Sequence, residues 1–171
     1  MVKLLDKMLG NLILKKKKIV LFDIDYTLFN TDLFKSSGLK THKLYSEVES
    51  VLSKLKNEAV LGILSEGKKE LQNNKLLSTG ITRFFQSHAI HVVEDKLNDL
   101  VAVLNKYKDS KIFMVDDRLE ALEKAAKHVP SAFTVWIKRG KYAKNQKPIK
   151  NFTPNAIIED LEELVSHVKS S

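Results

Sequence analysis

Short apolar runs alternate with amphipathic stretches along the chain. Each run has the length of a strand and is rich in β-branched residues, whereas the stretches between them repeat their apolar residues at helical spacing. Such alternation is typical of βαβ units, in which parallel strands form a sheet that helices cover on both faces. The predicted strands are residues 18–23, 60–65, 89–93, 112–115 and 132–137. We therefore predict an α/β fold, a three-layer α/β/α sandwich around a central, mainly parallel sheet of about five strands.

The predicted helices connect these strands. They cover residues 43–57, 68–78, 95–107 and 118–128, and a terminal helix begins at Pro154, a residue type that suits the first helical turn. Residues 138–151 are polar and basic, which predicts a long irregular and mobile segment. At 171 residues and 43% hydrophobic composition, the chain suits one domain with a substantial core, which we place at residues 19–171.

Residues 1–18 predict an amphipathic helix with a basic end. Leucines, Met8 and Ile13 recur at helical spacing, and the lysines of residues 15–18 follow them. Packing of this helix on its own domain is the favoured interpretation, and an anionic membrane surface or a protein partner is the alternative. A secretory signal would place its basic residues first, and no apolar stretch is long enough to span a bilayer. We therefore expect a cytoplasmic protein without a transmembrane segment.

Composition excludes some chemistries and leaves others open. The chain has no cysteine, which excludes disulfides, thiol nucleophiles and cysteine-bound zinc. None of its five histidines belongs to a recognisable metal-binding pair. The formal net charge of +8 is compatible with anionic ligands, whether phosphate esters, nucleic acid or a membrane surface. The charge alone does not choose among them.

Two aspartates follow the first predicted strand. Asp23 and Asp25 are one residue apart at the carboxyl end of an apolar run, where open α/β sheets bind their ligands. Alternate side chains of an extended backbone point the same way, so the two carboxylates would lie close together. Neighbouring carboxylates repel each other and favour a cation between them. This pair by itself predicts a divalent-metal site.

Polar residues follow three further predicted strands. Ser65 ends the second strand, Lys96 follows the third, and the fourth ends in Asp116 and Asp117. Carboxylates, a hydroxyl and an ammonium are the groups that phosphoryl transfer requires, because the charge on the transferred group must be neutralised and the leaving oxygen protonated. The convergence of these strand ends therefore indicates phosphate chemistry.

These motifs resemble those of the haloacid dehalogenase-like hydrolase superfamily, whose members have a Rossmann-like fold. Its first motif, Asp-x-Asp-x-Thr after an apolar strand, is matched by Asp23, Asp25 and Thr27. Its second and third motifs are matched by Ser65 and Lys96, and its fourth by the strand that ends in Asp116 and Asp117. The resemblance extends from about residue 19 to residue 137, and the first and fourth motifs together are specific.

The resemblance implies a role for each matched residue. Asp23 would attack phosphorus and become an aspartyl phosphate, and Asp25 would protonate the leaving oxygen and then activate water. Thr27 would position Asp25, and Ser65 and Lys96 would hold phosphoryl oxygens. Mg²⁺ would bind the Asp23 carboxylate, the Asp25 carbonyl and Asp116, Asp117 or both. Asp117 is favoured, because Asp116 takes the place of the glycine in the more frequent Val-Gly-Asp pattern.

Two features set this chain apart within the family pattern. Tyr26 stands where many members have glycine. Its ring could narrow the entrance or stack on a substrate, or it could point away and pack. The family's cap domains follow the first motif or lie between the second and third. Asp25 and Ser65 are only 40 residues apart, and Ser65 and Lys96 only 31. We therefore expect no full cap, and at most a small flap formed by residues 30–41.

The resemblance therefore implies a Mg²⁺-dependent phosphatase that hydrolyses a phosphate monoester. An open site would admit a small molecule or the phosphorylated end of a macromolecule, and oligomerisation could shield it. One alternative is a catalytically silent protein of the same fold that uses its basic segments on nucleic acid or an acidic partner. A phosphotransferase is a weaker alternative, because such an enzyme has to exclude water from its aspartyl phosphate.

Overall fold

A computed structural model describes residues 17–171. Its centre is a sheet of six parallel strands in the order β3-β2-β1-β4-β5-β6. The strands are β1 (Lys18–Phe22), β2 (Val60–Glu66), β3 (Ile90–Val93), β4 (Lys111–Asp116), β5 (Phe133–Ile137) and β6 (Ala156–Ile158). The predicted α/β sandwich is confirmed, with one strand more than expected.

Helices cover the sheet on both faces. They are α1 (Thr31–Ser36), α2 (Val48–Leu55), α3 (Lys69–Ser78), α4 (Lys96–Asn105), α5 (Leu119–His128), α6 (Gly140–Asn145) and α7 (Glu162–Lys169). Two short 3₁₀ helices, Ile81–Phe84 and Ser87–Ala89, precede β3. Between β1 and β2 the chain forms only α1 and α2, and between β2 and β3 only α3 and the 3₁₀ turns.

The alternation of side chains along β1 divides the core into two layers. Val20 and Phe22 pack in a cluster that includes α2 and α7, whereas Ile19 and Leu21 pack on the other face with α4 and α5. All four side chains are buried. A strand that is apolar on both faces can be covered only by helices on both sides, which gives the three-layer arrangement.

Two predictions for the last third of the chain were wrong in detail. The predicted terminal helix from Pro154 is β6 followed by α7, because Ala156 and Ile158 are buried on the sheet while Ile157 between them is half exposed. That period of two is typical of a strand. The predicted irregular segment 138–151 contains α6, which Ala143 anchors by its complete burial.

The predicted helix of residues 1–18 lies almost entirely outside the described residues. From residue 17 onward, no helix combines the length and the apolarity that crossing a membrane requires.

Strand order identifies the edge of the sheet at which a ligand would bind. From β1 the chain continues to β2 and β3 on one side, then returns to β4, β5 and β6 on the other. The order therefore reverses between β1 and β4, and ligands of open α/β sheets bind beyond the carboxyl ends of the strands at such a point. Asp23 directly follows β1, and Asp116 and Asp117 stand at the end of β4.

Candidate active site

The carboxylate of Asp23 lies at the centre of the site and is almost inaccessible to solvent. Its backbone N–H donates to the carbonyl of Val115 at 3.0 Å, which continues the pairing of β1 with β4 by one residue. The side chain is therefore held beside the end of β4. The pKa of Asp23 is raised to about 6, chiefly by burial, while the charge of Lys96 acts to lower it and that of Asp116 to raise it.

Lys96 bridges two of the aspartates. Its Nζ donates to Asp23 Oδ1 at 2.6 Å and to Asp116 Oδ2 at 2.8 Å, and its side chain is 1% exposed. Lys96 is the first residue of α4, and its backbone N–H donates to Glu66 Oε2 at 2.8 Å. Burial lowers the pKa of the ammonium, but the charges of Asp116 and Asp23 outweigh it and raise that pKa. Lys96 is therefore a fixed cation inside the site.

Asp116 and Asp117 are adjacent but have different surroundings. Asp116 accepts hydrogen bonds from Lys96 and from the backbone N–H of Arg118. The side chain of Asp117 lines the cavity described below, and its backbone carbonyl accepts from Trp136 at 3.0 Å and from Gln146 at 2.6 Å. Burial raises the pKa of Asp117 to about 8, and the charges of Asp116 and Asp23 add to the effect.

Asp25 is held as a carboxylate by three side chains. Lys75 Nζ donates to both carboxylate oxygens at 2.7 Å, Thr31 Oγ1 donates to one at 2.7 Å, and Gln72 Nε2 donates to the other at 2.9 Å. Partial burial would raise the pKa of Asp25, but the charge and hydrogen bonds of Lys75 outweigh it and lower the pKa below its usual value. The hydrogen bonds of Gln72 and Thr31 act in the same direction.

Helix α3 turns two polar residues toward the site and two of its leucines toward solvent. Gln72 and Lys75 are 2% and 4% exposed, whereas Leu71 and Leu77 are 43% and 67% exposed. Residues three apart share a helix face, so Gln72 and Lys75 reach Asp25 together. Sequence reasoning gave α3 no role in the site. The sequence does contain a signal of this arrangement. Residues 69–78 lack the stripe of apolar residues at helical spacing that a core-facing helix ordinarily has.

The Thr27 hydroxyl makes no hydrogen bond among the described residues, whereas the Ser65 hydroxyl is hydrogen-bonded to Gln72. Thr27 is buried but its hydroxyl has no hydrogen-bond partner among the described residues, and Thr31 rather than Thr27 bonds to Asp25. Ser65 is 1% exposed, and its Oγ accepts a hydrogen bond from Gln72 Nε2 at 3.1 Å. Gln72 thereby joins Ser65 to Asp25.

Tyr26 has a backbone conformation that ordinarily suits glycine. Its φ is +59°, within the left-handed region that a bulky side chain adopts only at a cost. Its ring lies against Gly140, where a Cβ would approach Cδ1 of the ring to 2.3 Å. Its hydroxyl donates to Asp32 at 3.4 Å and accepts from Lys35 at 3.2 Å. The ring therefore packs on α6 and also borders the cavity, so both alternatives left open by the sequence apply in part.

An open cavity of about 440 Å³ connects these groups to solvent. Its buried lining residues are Asp23, Lys96 and Asp117, and its more exposed lining residues are Asp25, Tyr26, Lys35, Glu66, Arg118 and Tyr142. Arg118 contacts Glu66 at 3.2 Å and Glu120 at 2.5 Å. Glu66, Arg118 and Tyr142 were not predicted as site residues, because none of them belongs to a motif. Glu66 ends β2, Arg118 follows β4 and Tyr142 lies on α6.

The donor set fits a hard divalent cation. One carboxylate oxygen each from Asp23, Asp116 and Asp117 lies within 4.8 Å of the other two, and all three residues are buried. When all three carboxylates are ionised, the positive charge of Lys96 offsets only one of their three negative charges. Oxygen ligands of this kind suit Mg²⁺, and its binding would favour the ionised form of carboxylates whose pKa is raised by burial.

Solved structures similar to this one include haloacid dehalogenase-like hydrolases. A hydrolase of this type from Burkholderia xenovorans shares 20% identity with a TM-score of 0.74, over 88% of this chain and 95% of that one. The HAD hydrolase YfnB from Bacillus subtilis, solved with magnesium bound, shares 16% identity with a TM-score of 0.68, over 90% of this chain and 99% of that one. A predicted phosphoglycolate phosphatase from Haemophilus somnus shares 15% identity with a TM-score of 0.66, over 89% of this chain and 98% of that one.

No family sequence model matches the chain, and no curated protein matches it. The likeness to these structures is one of fold. The chain has the haloacid dehalogenase-like fold, as the motifs predicted.

Proposed function

We propose that this protein is a Mg²⁺-dependent phosphatase that hydrolyses a phosphate monoester through an aspartyl phosphate on Asp23. The observation that carries the proposal is the buried arrangement of Asp23, Lys96, Asp116 and Asp117 at the point where strand order reverses, facing a cavity that Asp25 also lines. The fold shared with hydrolases, one of them named as a phosphatase, supports it.

Asp23 is the proposed nucleophile. One of its carboxylate oxygens attacks phosphorus, and the bond between phosphorus and the leaving oxygen breaks. Lys96 holds the nucleophilic carboxylate in place and neutralises charge on the phosphoryl oxygens. The hydroxyl of Ser65, fixed by Gln72, is the proposed second donor to those oxygens.

Asp25 is the proposed acid and base. It gives a proton to the leaving oxygen in the first step, then takes a proton from the water that attacks the aspartyl phosphate, which releases phosphate and restores Asp23. In this structure Lys75 favours the carboxylate, the form that the second step requires. An anionic phosphate beside Asp25 would favour the protonated form that the first step requires.

Mg²⁺ would be held by the carboxylates of Asp23 and Asp117 and by the backbone carbonyl of Asp25. Asp116 is engaged by Lys96 and by the backbone of Arg118, which leaves Asp117 as the better ligand of the pair. When bound, the ion neutralises charge on the phosphoryl group and on the surrounding carboxylates.

We further propose that residues 19–171 form one catalytic domain without a full cap. The only helices between β1 and β3 are α1, α2, α3 and the two 3₁₀ turns, all of which pack on the sheet or beside the site. The cavity is consequently open.

The experiment that tests the function is hydrolysis of a phosphate monoester panel that includes an aryl phosphate, with Mg²⁺ and with a chelator. Wild type should release phosphate only with Mg²⁺, and Asp23→Asn, which conserves shape, should be inactive although circular dichroism shows it to be folded. Acid-quenched Asp25→Asn should carry one phosphoryl group on Asp23, detected by mass spectrometry, because its dephosphorylation is slowed. Wild type as inactive as Asp23→Asn on the whole panel would overturn the proposal.

A further inference from the structure

Two tyrosines stand at the mouth of the cavity and continue into a neighbouring groove. Tyr26 and Tyr142 line both the cavity and a groove of about 370 Å³ that they share with Asn145 and Gln146. A molecule bound at Asp23 can therefore extend along the two aromatic side chains toward the two amides. We call this groove the tyrosine groove.

The ring of Tyr26 is fixed before any ligand binds. It packs on Gly140 at the start of α6, and its hydroxyl bonds to Asp32 and Lys35 of α1. Lys35 Nζ also lies 5.4 Å from the ring centroid. A side chain held from two helices loses little freedom when a ligand packs on it. The ring stands at a position whose backbone conformation favours glycine, and the contacts that it makes with α1 and Gly140 hold it there.

Tyr142 presents an aromatic side chain that the described residues leave partly exposed. It is 45% exposed on α6, one turn from Gln146. Gln146 accepts from the backbone N–H of Leu119 at 2.8 Å and donates to the carbonyl of Asp117 at 2.6 Å. The groove is thus tied directly to the backbone of a proposed metal ligand, so its position relative to the catalytic carboxylates is fixed.

The remaining charges favour a single phosphate. Lys35 is engaged by the Tyr26 hydroxyl, and Arg118 is engaged by Glu66 and Glu120. The carboxylate of Glu66 borders the cavity and would repel a second phosphate. Beyond the tyrosines, Asn145 offers an exposed amide that can both donate and accept hydrogen bonds.

From this arrangement we infer that the substrate is a nucleoside monophosphate, with its phosphate at Asp23 and its base stacked in the tyrosine groove. The inference rests on the proposed function, since it names the substrate class of the same site. A nucleoside supplies a sugar-sized spacer between the phosphate and a planar ring whose edge can bond to an amide. Aromatic side chains stack on every base, so a preference for the ring is expected before a preference among bases.

The test compares nucleoside 5′-monophosphates with ribose 5-phosphate, which has the same phosphate and sugar but no base. Wild type should show kcat/KM for the nucleotides about tenfold or more above that for ribose 5-phosphate, the range expected from stacking of one base. Tyr142→Leu should remove most of this ratio, chiefly through KM, whereas Tyr142→Phe should keep it. Tyr107→Leu, which alters an aromatic residue near the opposite edge of the sheet, is the matched control and should keep the ratio as well.

A second measurement is independent of turnover. Calorimetric titration of Asp23→Asn with a nucleoside monophosphate and with ribose 5-phosphate should show the same preference, which Tyr142→Leu in that background should abolish. Equal hydrolysis and equal binding of the two compounds would overturn the inference while leaving the phosphatase proposal intact. Loss of Asp23-dependent hydrolysis for every compound would overturn the proposed function instead.

Discussion

At the scale of single residues, Asp25 depends on a helix that is distant in the chain. Lys75 lies 50 residues after Asp25 and bonds to both of its carboxylate oxygens, while its ammonium also sits 5.3 Å from the ring centroid of Phe29. In this ion pair the Lys75 side chain is buried, whereas the Asp25 side chain is partly exposed. Lys75 therefore fixes both the orientation and the charge state of the proposed acid and base.

Replacement of this lysine should reduce catalysis more than it reduces stability. Lys75→Met keeps the apolar stem beside Phe29 but removes the ammonium, so we expect a loss of about 10²-fold in kcat from mispositioning of Asp25. The free energy of unfolding should fall by only about 1–2 kcal/mol, because Asp25 keeps two other donors and some water. Steady-state kinetics and urea denaturation measure the two effects.

Lys69→Met is the matched control on the same helix. Lys69 is exposed, and its replacement should leave both kcat and stability near the wild-type values. Full activity of Lys75→Met would show that Lys75 does not position Asp25.

At the scale of elements, α6 packs against the site through the contact of Gly140 with the Tyr26 ring, which leaves no room for another atom. Gly140 has a φ of +73°, and a Cβ there would approach the Tyr26 ring far inside van der Waals distance. Two separate requirements therefore apply at Gly140, a left-handed backbone and the absence of a side chain. Sequence reasoning found neither, because both arise only when α6 packs on the loop after β1.

A double-mutant cycle separates these requirements. Gly140→Ala should lower the free energy of unfolding by about 2–3 kcal/mol, from backbone strain together with the clash. In a Tyr26→Gly background the same substitution should cost only about 1 kcal/mol, the backbone contribution alone. The coupling between the two sites is measured by denaturant unfolding of the four proteins. Equal costs in both backgrounds would show that Gly140 does not pack on Tyr26.

At the scale of the whole molecule, the buried carboxylates make stability depend on pH. The folded-state pKa values of Asp23 and Asp117 are about 6 and about 8, both above the ordinary value of 3.8. Between the ordinary pKa and these raised values the folded protein binds more protons than the unfolded chain. The free energy of unfolding therefore falls as the pH rises. The lowered pKa of Asp25 has the opposite effect, because stability is lost as the pH falls. This effect is confined to pH values below the ordinary pKa of 3.8.

The metal-free protein should therefore melt at a lower temperature at pH 8 than at pH 5. We expect a decrease of roughly 5 °C or more in the presence of a chelator, and Mg²⁺ should raise the melting temperature more at pH 8 than at pH 5. Differential scanning calorimetry measures both. Asp117→Asn, which stays neutral, should flatten the decrease in chelator and weaken the Mg²⁺ effect. A melting temperature in chelator that rises steadily from pH 5 to pH 8 would contradict the prediction.

The sequence by itself determined the sheet and the residues at its carboxyl edge. Apolar runs that are buried on both faces predict parallel strands, and parallel strands place the residues that follow them at one edge, so Asp23, Lys96 and Asp116 could be grouped from the chain order alone. Strand β6 escaped detection, because three residues are too few to distinguish a period of two from a helical stripe.

Only the tertiary structure decided which helix faces and loops enclose those residues. Gln72 and Lys75 are polar residues on a helix, and a polar residue is ordinarily expected in water until a partner for its burial is known. That partner, Asp25, is distant in the chain. Likewise, Tyr26 meets Gly140 and Tyr142 only through the packing of α6. Local periodicity records which face of an element is apolar, but contacts between residues that are distant in the chain leave no periodic signal. Such contacts determine the surroundings of Asp25 and the mouth of this site.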